Sequence, residues 1–354
     1  MPQCLHGTPD ERRRSFWRRR CVCLSLCCLA LGVPAFAAET TPTLPPPPLR
    51  AAGEYEPVQA VFLQWDHPEE TEVYLALIRA IVSAEADAYV LVDDPGVEAK
   101  AGSYLRLHGL HSDRLRFVVA PTDSMWVRDY GAAPVFFGPR RTLGLVDWRY
   151  TGATELSDLK AYADDVASRA MAAALGCPLH DAGQLPGGLI LDGGDFMTDG
   201  FGTAFCSEWL LCDNRDEERV RKTLRDYLGM ERLVVLRKLS WAEENHIDMY
   251  MKLLDEETLL VGAYDSWFLG DEMIEQNVET LEGLTSCYDR PYRIIRIPMA
   301  QSGQYACYAT YTNSLIVNNA VIVPLYGARY DDVALDIYRD AMPAPVRQWF
   351  KNYW

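Results

Sequence analysis

Two kinds of hydrophobic pattern alternate along this chain. Apolar runs of strand length are separated by longer segments in which apolar residues recur every three or four positions. The first pattern is typical of buried strands, and the second of helices that pack one face against a core. Between residues 58 and 119 the predicted order is strand, helix, strand, helix, strand. These elements are predicted at 58–65, 70–85, 88–92, 97–108 and 115–119.

The same rhythm continues to residue 341. Strands are predicted at 133–137, 143–147, around Ile190, at 204–206, 233–236, 247–254, 257–262, 292–296, 309–317 and 320–324. Helices are predicted at about 156–175, 217–228, 270–283 and 328–341. Together they make five short strand–strand–helix–strand units with little literal repetition of sequence. A solenoid would show clearer identity between its repeats, so a closed ring of α/β units is favoured.

The first 53 residues do not follow this pattern. A basic segment precedes the apolar run 21–33, which is too short to span a bilayer comfortably, and Ala35-Phe36-Ala37 fits a cleavage site. We expect a signal peptide over 1–37, cleaved before Ala38, and a secreted or periplasmic protein without stable membrane insertion. An uncleaved anchor is the alternative. Residues 38–53 are predicted to form a Pro-rich spacer, and the folded domain is predicted over 54–354.

Charge and cysteine content narrow the class of partner. The chain has 50 acidic and 34 basic residues and a net charge of −16, which argues against nucleic-acid binding and favours cationic ligands. The cysteines after residue 37 are odd in number and irregularly spaced, with no C-x-x-C pair, so neither a disulfide framework nor a zinc site is indicated. They are Cys177, Cys206, Cys212, Cys287 and Cys307.

His246 and Asp248 are the first candidates for chemistry. On the predicted strand they stand two residues apart and project from the same face. A histidine beside a carboxylate is a plausible acid/base and cation-binding pair. The alternative is an ordinary histidine near a surface aspartate.

Three other stretches concentrate polar residues between predicted elements. Segment 123–131 packs charges, aromatic residues and a glycine into one loop. In segment 191–200, Gly193-Gly194 permits close backbone approach, and Asp199-Gly200 is a hairpin signal. Asn313 begins a predicted strand. Taken singly, each stretch is also explained by an ordinary turn or strand-end cap.

Taken together, these stretches resemble the guanidine-modifying deiminases, and within them the bacterial peptidylarginine deiminases, with agmatine deiminase a near relative. The resemblance covers about residues 55–343. It rests on four motifs in order: 126–131 (Trp-Val-Arg-Asp-Tyr-Gly), 192–195 (Asp-Gly-Gly-Asp), 246–249 (His-Ile-Asp-Met) and 311–314 (Tyr-Thr-Asn-Ser). It implies a five-fold pseudo-symmetric α/β propeller. It also implies hydrolysis of a guanidinium to a ureido group with release of ammonia, without a metal or organic cofactor.

The resemblance also implies roles for particular residues. Asp129 and Asp248 would hold the guanidinium, His246 would be the general acid/base, Trp126 would line the substrate slot, and Asn313 would sit in the active-site shell. These residue types suit the chemistry, because two carboxylates match the planar donor fork of a guanidinium and a tryptophan adds a cation–π contact. The substrate would be arginine in a peptide, which the signal peptide favours, or a small guanidino compound.

Arg149 is the candidate for binding the C-terminal carboxylate of a peptide. The segment that follows it lacks the second arginine that would share this role. Specificity for C-terminal arginine is therefore not supported by the sequence. A smaller departure is Asp195, which stands where the family usually has asparagine.

The family's nucleophile is a cysteine in a loop after the helix of the last unit. Residues 344–354 contain neither Cys nor His, so we expect the last unit to be incomplete and this chain to be inactive or nearly so. A shifted frame or early stop is one explanation, and a pseudoenzyme that binds arginyl groups without turnover is the other. Cys307 is the only cysteine near a site motif and is a weak substitute, because most unpaired cysteines are packed as small hydrophobes.

Overall fold

The computed structural model describes residues 44–65, 71–151, 161–184, 187–239, 246–264, 271–300 and 309–342. The strands of these ranges form five separate sheets, with helices between them. The fold is therefore of the α/β class, as predicted. No helix within the described ranges has the length and apolar character needed to cross a membrane.

The first strand, β1 (Leu49–Ala51), lies earlier than expected. It pairs antiparallel with residues 135–137, with Ala51 opposite Val135. Ala51 is only 1% exposed and packs in a core cluster with Val135 and Val146. The predicted spacer 38–53 thus contains a strand near its end, and regular secondary structure begins before Glu54.

The next five elements confirm the order predicted for residues 58–119. They are β2 (Ala60–Gln64), α1 (Thr71–Ser83), β3 (Asp87–Val92), α2 (Pro95–Leu107) and β4 (Leu115–Val119). The three strands are all parallel, in the order β2-β3-β4. Helix α2 begins where it does because the Asp94 carboxylate accepts hydrogen bonds from two backbone N–H groups and Pro95 occupies the first helical position.

Three later segments share one topology. Each has a hairpin of two antiparallel strands, then one or two helices, and a third strand parallel to the second. The short helix α3 (Val127–Tyr130) precedes the first, which contains β5 (Ala133–Phe137), β6 (Thr142–Asp147), α4 (Ala161–Asp165), α5 (Ala167–Leu175) and β7 (Leu179–Asp181). The second contains β8 (Met197–Thr198), β9 (Thr203–Ser207), α6 (Glu208–Asn214), α7 (Glu217–Leu228) and β10 (Arg232–Leu236). The third contains β11 (Met251–Leu253), β12 (Thr258–Ala263), α8 (Asp271–Glu282) and β13 (Arg293–Pro298).

The last segment begins in the same way. Its elements are β14 (Leu315–Val317), β15 (Ala320–Ile322) and α9 (Asp331–Ala341), and the described residues include no third strand there. Val317 and Ile322 pack in one core cluster with Ile78 and Val90, so the last hairpin is continuous with the core of the first sheet. A closed five-fold ring of units stays a prediction, because the five sheets are separate and the first is wholly parallel.

The prediction of a strand beginning at residue 247 was wrong. Residues Ile247–Met249 form a 3-10 turn, closed by a hydrogen bond from Tyr250 N to Ile247 O, and the strand begins only at Met251. His246 and Asp248 therefore do not project from one face of a strand. The alternation of polar and apolar residues predicted a strand with one buried and one exposed face. It was not a valid signal here, because all four residues from 246 to 249 are buried.

Other differences concern short elements. The helix expected over 156–175 is two helices, α4 and α5, within its described part. The strand expected around Ile190 is a single bridge to Arg149. Strand β7 and helix α6 were not predicted. Elements this short have too few residues to show a period, and tertiary contacts decide them.

Candidate active site

The four sequence motifs that carry the family resemblance occupy equivalent places in the fold. Each ends just before the first strand of a hairpin: 126–131 before β5, 192–195 before β8, 246–249 before β11 and 311–314 before β14. Equivalent positions in successive units bring residues that are distant in sequence to a common region. The contacts below show which of them meet.

Asp129 lies on α3 and faces a pair of glycines. It is 8% exposed, and its Oδ1 accepts a hydrogen bond from Gly194 N at 3.0 Å. A Cβ on Gly193 would stand 1.9 Å from Arg128 O, so the two backbones approach more closely than any side chain permits. The glycine pair is therefore required by this contact between the first and second motifs.

His246 lies between two carboxylates. Its Nδ1 is 3.5 Å from Asp129 Oδ1, and its Nε2 is 3.2 Å from Asp192 Oδ2. Asp192 in turn accepts hydrogen bonds from the backbone N and the Oγ1 of Thr151, at 3.0 and 2.7 Å. Both ring nitrogens thus face anions, which fixes the orientation of the ring.

Asp248 completes the group, although the expected strand is absent. Asp129 Oδ1, His246 Nδ1 and Asp248 Oδ2 lie 2.7, 2.7 and 3.0 Å from the point where a Cβ of Gly194 would stand. Asp248 is 7% exposed, and its Oδ1 has no hydrogen-bond partner among the described residues. We call Asp129, Asp192, His246 and Asp248 the carboxylate cluster.

The electrostatics of the cluster follow from its composition. Burial lowers the pKa of His246, but the hydrogen bond to Asp192 and the charges of Asp129 and Asp248 outweigh burial and raise it to about 10. Burial raises the pKa of Asp129 to about 7 despite the favourable charge of His246, and burial likewise raises the pKa of Asp248. A positive imidazolium is thus surrounded by more carboxyl groups than it can neutralise. Such a site favours an additional cation.

Asp195 has a different position from its neighbour Asp192. It is 1% exposed, and its two oxygens accept hydrogen bonds from Ser207 N and Oγ at 2.8 and 2.9 Å. Burial raises its pKa to about 7. Asp195 therefore fastens the glycine turn to the end of β9, whereas Asp192 orients His246. Sequence reasoning missed both contacts and that of Thr151; the Asp-Gly-Gly-Asp run was the only local signal.

The remaining predicted site residues lie outside the cluster. Trp126 is 51% exposed and immediately precedes α3. Asn313 is exposed and lines a cavity of about 500 Å³ whose wall also includes Arg128 and Lys252. Thr312, the residue before it, donates a hydrogen bond from its Oγ1 to Asp248 O at 3.0 Å, so the segment of Asn313 contacts the backbone of the turn that carries Asp248.

Arg149 is not joined to the carboxylate cluster by any contact within the described residues. Its Nη2 donates to Gly183 O at 3.3 Å, and its side chain is exposed. The prediction that Arg149 binds substrate is untested by this geometry.

The cysteines of the described residues are all free: Cys177, Cys206, Cys212 and Cys287. Cys206 is next to the cluster's support Ser207, but it is fully buried, its Sγ donates to Val234 O at 3.9 Å, and burial raises the thiol pKa well above its usual value. A thiol held protonated in the core is not a nucleophile. Cys307 lies outside the described residues. Within those residues, no group of three or more His, Cys, Asp and Glu side chains is arranged to hold a metal ion.

The described residues combine an α/β fold with a buried imidazole between carboxylates. Comparison with known families identifies the class as the guanidino-modifying enzymes. Residues 50–347 match the family described as Porphyromonas-type peptidyl-arginine deiminase. The chain belongs to this family, whose members are hydrolases that act on guanidino C–N bonds.

Individual relatives are similar over most of their length. A Selenomonas ruminantium protein named "Putative agmatine deiminase" is 28% identical over 333 residues, which cover 82% of this chain and 87% of that protein. The structure titled "Putative Arginine Deiminase from Porphyromonas gingivalis" has a TM-score of 0.70 at 25% identity and covers 86% of this chain and 92% of its own. The agmatine deiminase of Enterococcus faecalis has a TM-score of 0.71 at 21% identity and covers 86% and 90%. This last similarity shows the fold alone.

Proposed function

We propose that this chain binds the guanidinium group of an arginine side chain and hydrolyses it to a ureido group with release of ammonia. The observation that carries the proposal is the convergence of Asp129 Oδ1, Asp248 Oδ2 and His246 Nδ1 within 3.0 Å of one point. Two carboxylates that converge on one region can accept from the paired N–H donors of a guanidinium, which stays protonated at neutral pH. Family membership supports the hydrolytic reaction.

The proposed mechanism assigns one role to each group. Asp129 and Asp248 bind the cation and hold its central carbon in place, and that carbon is electrophilic because the guanidinium carries a positive charge. A thiolate attacks that carbon, the C–N bond breaks, and His246, which carries a proton at neutral pH, donates it to the departing ammonia. His246 then removes a proton from water, the water oxygen bonds to the carbon, and the C–S bond breaks. Cys307, outside the described residues, is the candidate to supply the thiolate. It is a weak substitute for the family's nucleophile, so turnover by this chain should be slow at best, as expected from the sequence.

The proposed substrate is arginine within a peptide. The predicted signal peptide supports it, because a secreted enzyme meets peptides, and the exposed Trp126 next to Asp129 leaves room for a cation–π contact with an incoming side chain. The alternative is a small guanidino compound such as agmatine, which the names of relatives support. The proposal includes export of the protein, directed by residues 1–37 and followed by their cleavage. N-terminal sequencing of the mature protein would test it.

The fold proposal follows from the same motifs. Because four site segments precede the first strands of four successive hairpins, we infer that the sheets surround the site as units of a five-fold propeller. An experimental structure of the whole chain with arginine bound would decide between this ring and an open arrangement.

A second candidate is binding without turnover. The observation in its favour is the state of Cys206, whose thiol is buried and whose pKa burial raises well above its usual value. Among the described residues no cysteine is hydrogen-bonded to a member of the carboxylate cluster. The acidic pocket would then capture arginyl groups without the covalent step.

Calorimetric titration with product assays separates these candidates. The ligands are an arginine peptide, agmatine and, as a neutral control, the same peptide with citrulline. We expect the arginine ligands to bind and the citrulline peptide not to bind. Asp248→Asn should lower affinity by about 100-fold, because it leaves a desolvated cation without one of its anions.

The matched control is Asp147→Asn. Asp147 is 5% exposed and burial raises its pKa to about 8, but the groups that influence it are Ser168, Asp181 and Asp165, outside the cluster. It should leave affinity unchanged. If the unmodified chain forms citrulline and ammonia and the Cys307→Ala variant does not, the result would support the thiol mechanism. Binding without product would support the second candidate, and absence of guanidinium binding would contradict both.

A further inference from the structure

A second group of charged side chains lies beside the carboxylate cluster, with one member buried, one partly buried and one exposed: Lys252, Glu54 and Arg128. Glu54 Oε1 is 2.5 Å from Lys252 Nζ and accepts a hydrogen bond from Ile316 N at 3.1 Å, and Glu54 Oε2 is bonded to Arg128 Nη2. The Lys252 side chain is only 2% exposed. We call Glu54, Arg128 and Lys252 the Glu54 cluster.

Each partner of Glu54 belongs to a different site loop, a name we use for one of the four motifs together with the strand that follows it. Arg128 is the residue before Asp129. Lys252 lies in β11, directly after the turn that carries Asp248, and Ile316 lies in β14, three residues after Asn313. A single carboxylate therefore connects three loops that come from three different hairpin units.

The lysine makes a further connection of the same kind. Lys252 Nζ also donates to Ser314 O at 2.5 Å, in the residue after Asn313. The ammonium thus links the turn that carries Asp248 to the loop that carries Asn313. Because buried, charge-assisted hydrogen bonds have narrow geometry, these contacts restrict how the loops move relative to each other.

We propose that Glu54 and Lys252 are positioning residues of the guanidinium site, which act through Arg128 and the backbone of the three loops. This inference rests on the proposed function, because it concerns the same pocket. It assigns to a segment before β2, outside all four motifs, a part in building the site.

Electrostatics support the geometric argument. Burial raises the pKa of Asp248, while His246, Arg128 and Lys252 lower it and Glu54 raises it. The charged groups that face Asp248 from neighbouring elements are His246, Arg128, Lys252, Glu54, Asp129 and Asp195. Loss of the ammonium would therefore leave Asp248 harder to ionise, and an un-ionised Asp248 binds a cation poorly.

The test is calorimetric titration of the full chain with agmatine and with an arginine peptide between pH 5 and 9. In Lys252→Met we expect the acidic midpoint of binding to rise by about one pH unit and affinity at neutral pH to fall by about tenfold. Lys252→Arg, which keeps the charge, should keep the midpoint. Glu56→Gln is the matched control. Glu56 follows Glu54 by two residues, but it pairs with Arg50 and contacts neither Arg128 nor Lys252.

Glu54→Asp tests position apart from charge. It keeps the carboxylate but shortens its reach by one methylene, so we expect weaker binding at every pH without a shifted midpoint. If Lys252→Met does not fold, Glu54→Asp alone tests whether the Glu54 cluster positions the guanidinium site. Guanidinium binding that is unchanged in folded Lys252→Met and in Glu54→Asp overturns this inference alone. Absence of binding by the unmodified chain overturns the proposed function as well.

Discussion

The two charge clusters differ in how well their carboxylates are neutralised, although Arg128 and Asp129 are adjacent in the chain. In the Glu54 cluster one carboxylate lies between two cations. Burial alone would raise the pKa of Glu54, but Arg128 and Lys252 outweigh it and lower the pKa to about 2. In the carboxylate cluster several carboxyl groups share one imidazole, and the pKa of Asp129 rises to about 7. The first cluster is complete as it stands, whereas the second lacks a positive charge, which is the mark of a binding site for a cation.

The largest expected effect is on stability, in the Glu54 cluster. Glu54→Gln leaves the buried ammonium of Lys252 without its anion, and we expect the free energy of unfolding to fall by about 3 kcal/mol. Chemical denaturation at neutral pH measures it. Glu56→Gln, which removes one partner of the partly exposed Arg50–Glu56 pair, should cost about 1 kcal/mol or less. Equal losses in the two variants would mean that the Glu54 cluster is not special.

The pH dependence of stability should have opposite signs in the two clusters. The folded pKa of Asp129, about 7, exceeds its ordinary 3.8, and that of His246, about 10, exceeds 6.5. The folded state therefore holds more protons, and stability falls as pH rises from about 4 to about 10, by about 1.4 kcal/mol per pH unit for each such proton. Glu54, with a folded pKa of about 2 against 4.5, stabilises above pH 4.5, and this contribution is lost as pH falls toward 2.

Denaturation curves without ligand from pH 3 to 9 would show this as a maximum near pH 4 to 5. A stability that rises steadily from pH 5 to 9 would contradict the excess of carboxyl groups in the carboxylate cluster.

A smaller effect is expected from neutralising Asp129. In Asp129→Asn the amide still accepts from Gly194 N but has no charge to desolvate, so we expect the ligand-free protein to gain about 1 kcal/mol at pH 8 while it loses guanidinium binding. Thermal or chemical unfolding measures the gain, with Asp147→Asn as the control that keeps binding. A destabilised Asp129→Asn would show that this carboxylate is part of the fold's support.

The smallest effect is a transfer of protons on binding. A guanidinium favours ionised Asp129, whose pKa is about 7, so binding at pH 7 should release about half a proton per ligand. Titrations in buffers with different ionisation enthalpies detect this release. Asp129→Asn should reduce it, and proton uptake by the unmodified chain would contradict the assignment.

Local signals were sufficient for much of the fold. Helix α7 occupies the range predicted from its period, because Asp216 caps its start and Gly229, with φ of 73°, ends it. The parallel sheet β2–β4 followed from long apolar runs and strong helical periods. The turn at Ile247–Met249 could not be predicted from local signals. Its residues are all buried, so there is no contrast between a polar exposed face and an apolar buried face from which to infer the element.

The sequence by itself determined the residue types of the site, the order of its motifs and most of the elements that carry them. Tertiary structure alone decided that Asp129 meets Gly194, 65 residues away, that Asp192 meets His246, 54 residues away, and that Glu54 meets Lys252 across 198 residues. Periodicity and capping act over a few residues, so they specify elements. The balance of charge in each cluster depends on which distant side chains the packed units bring together, and no local pattern encodes that.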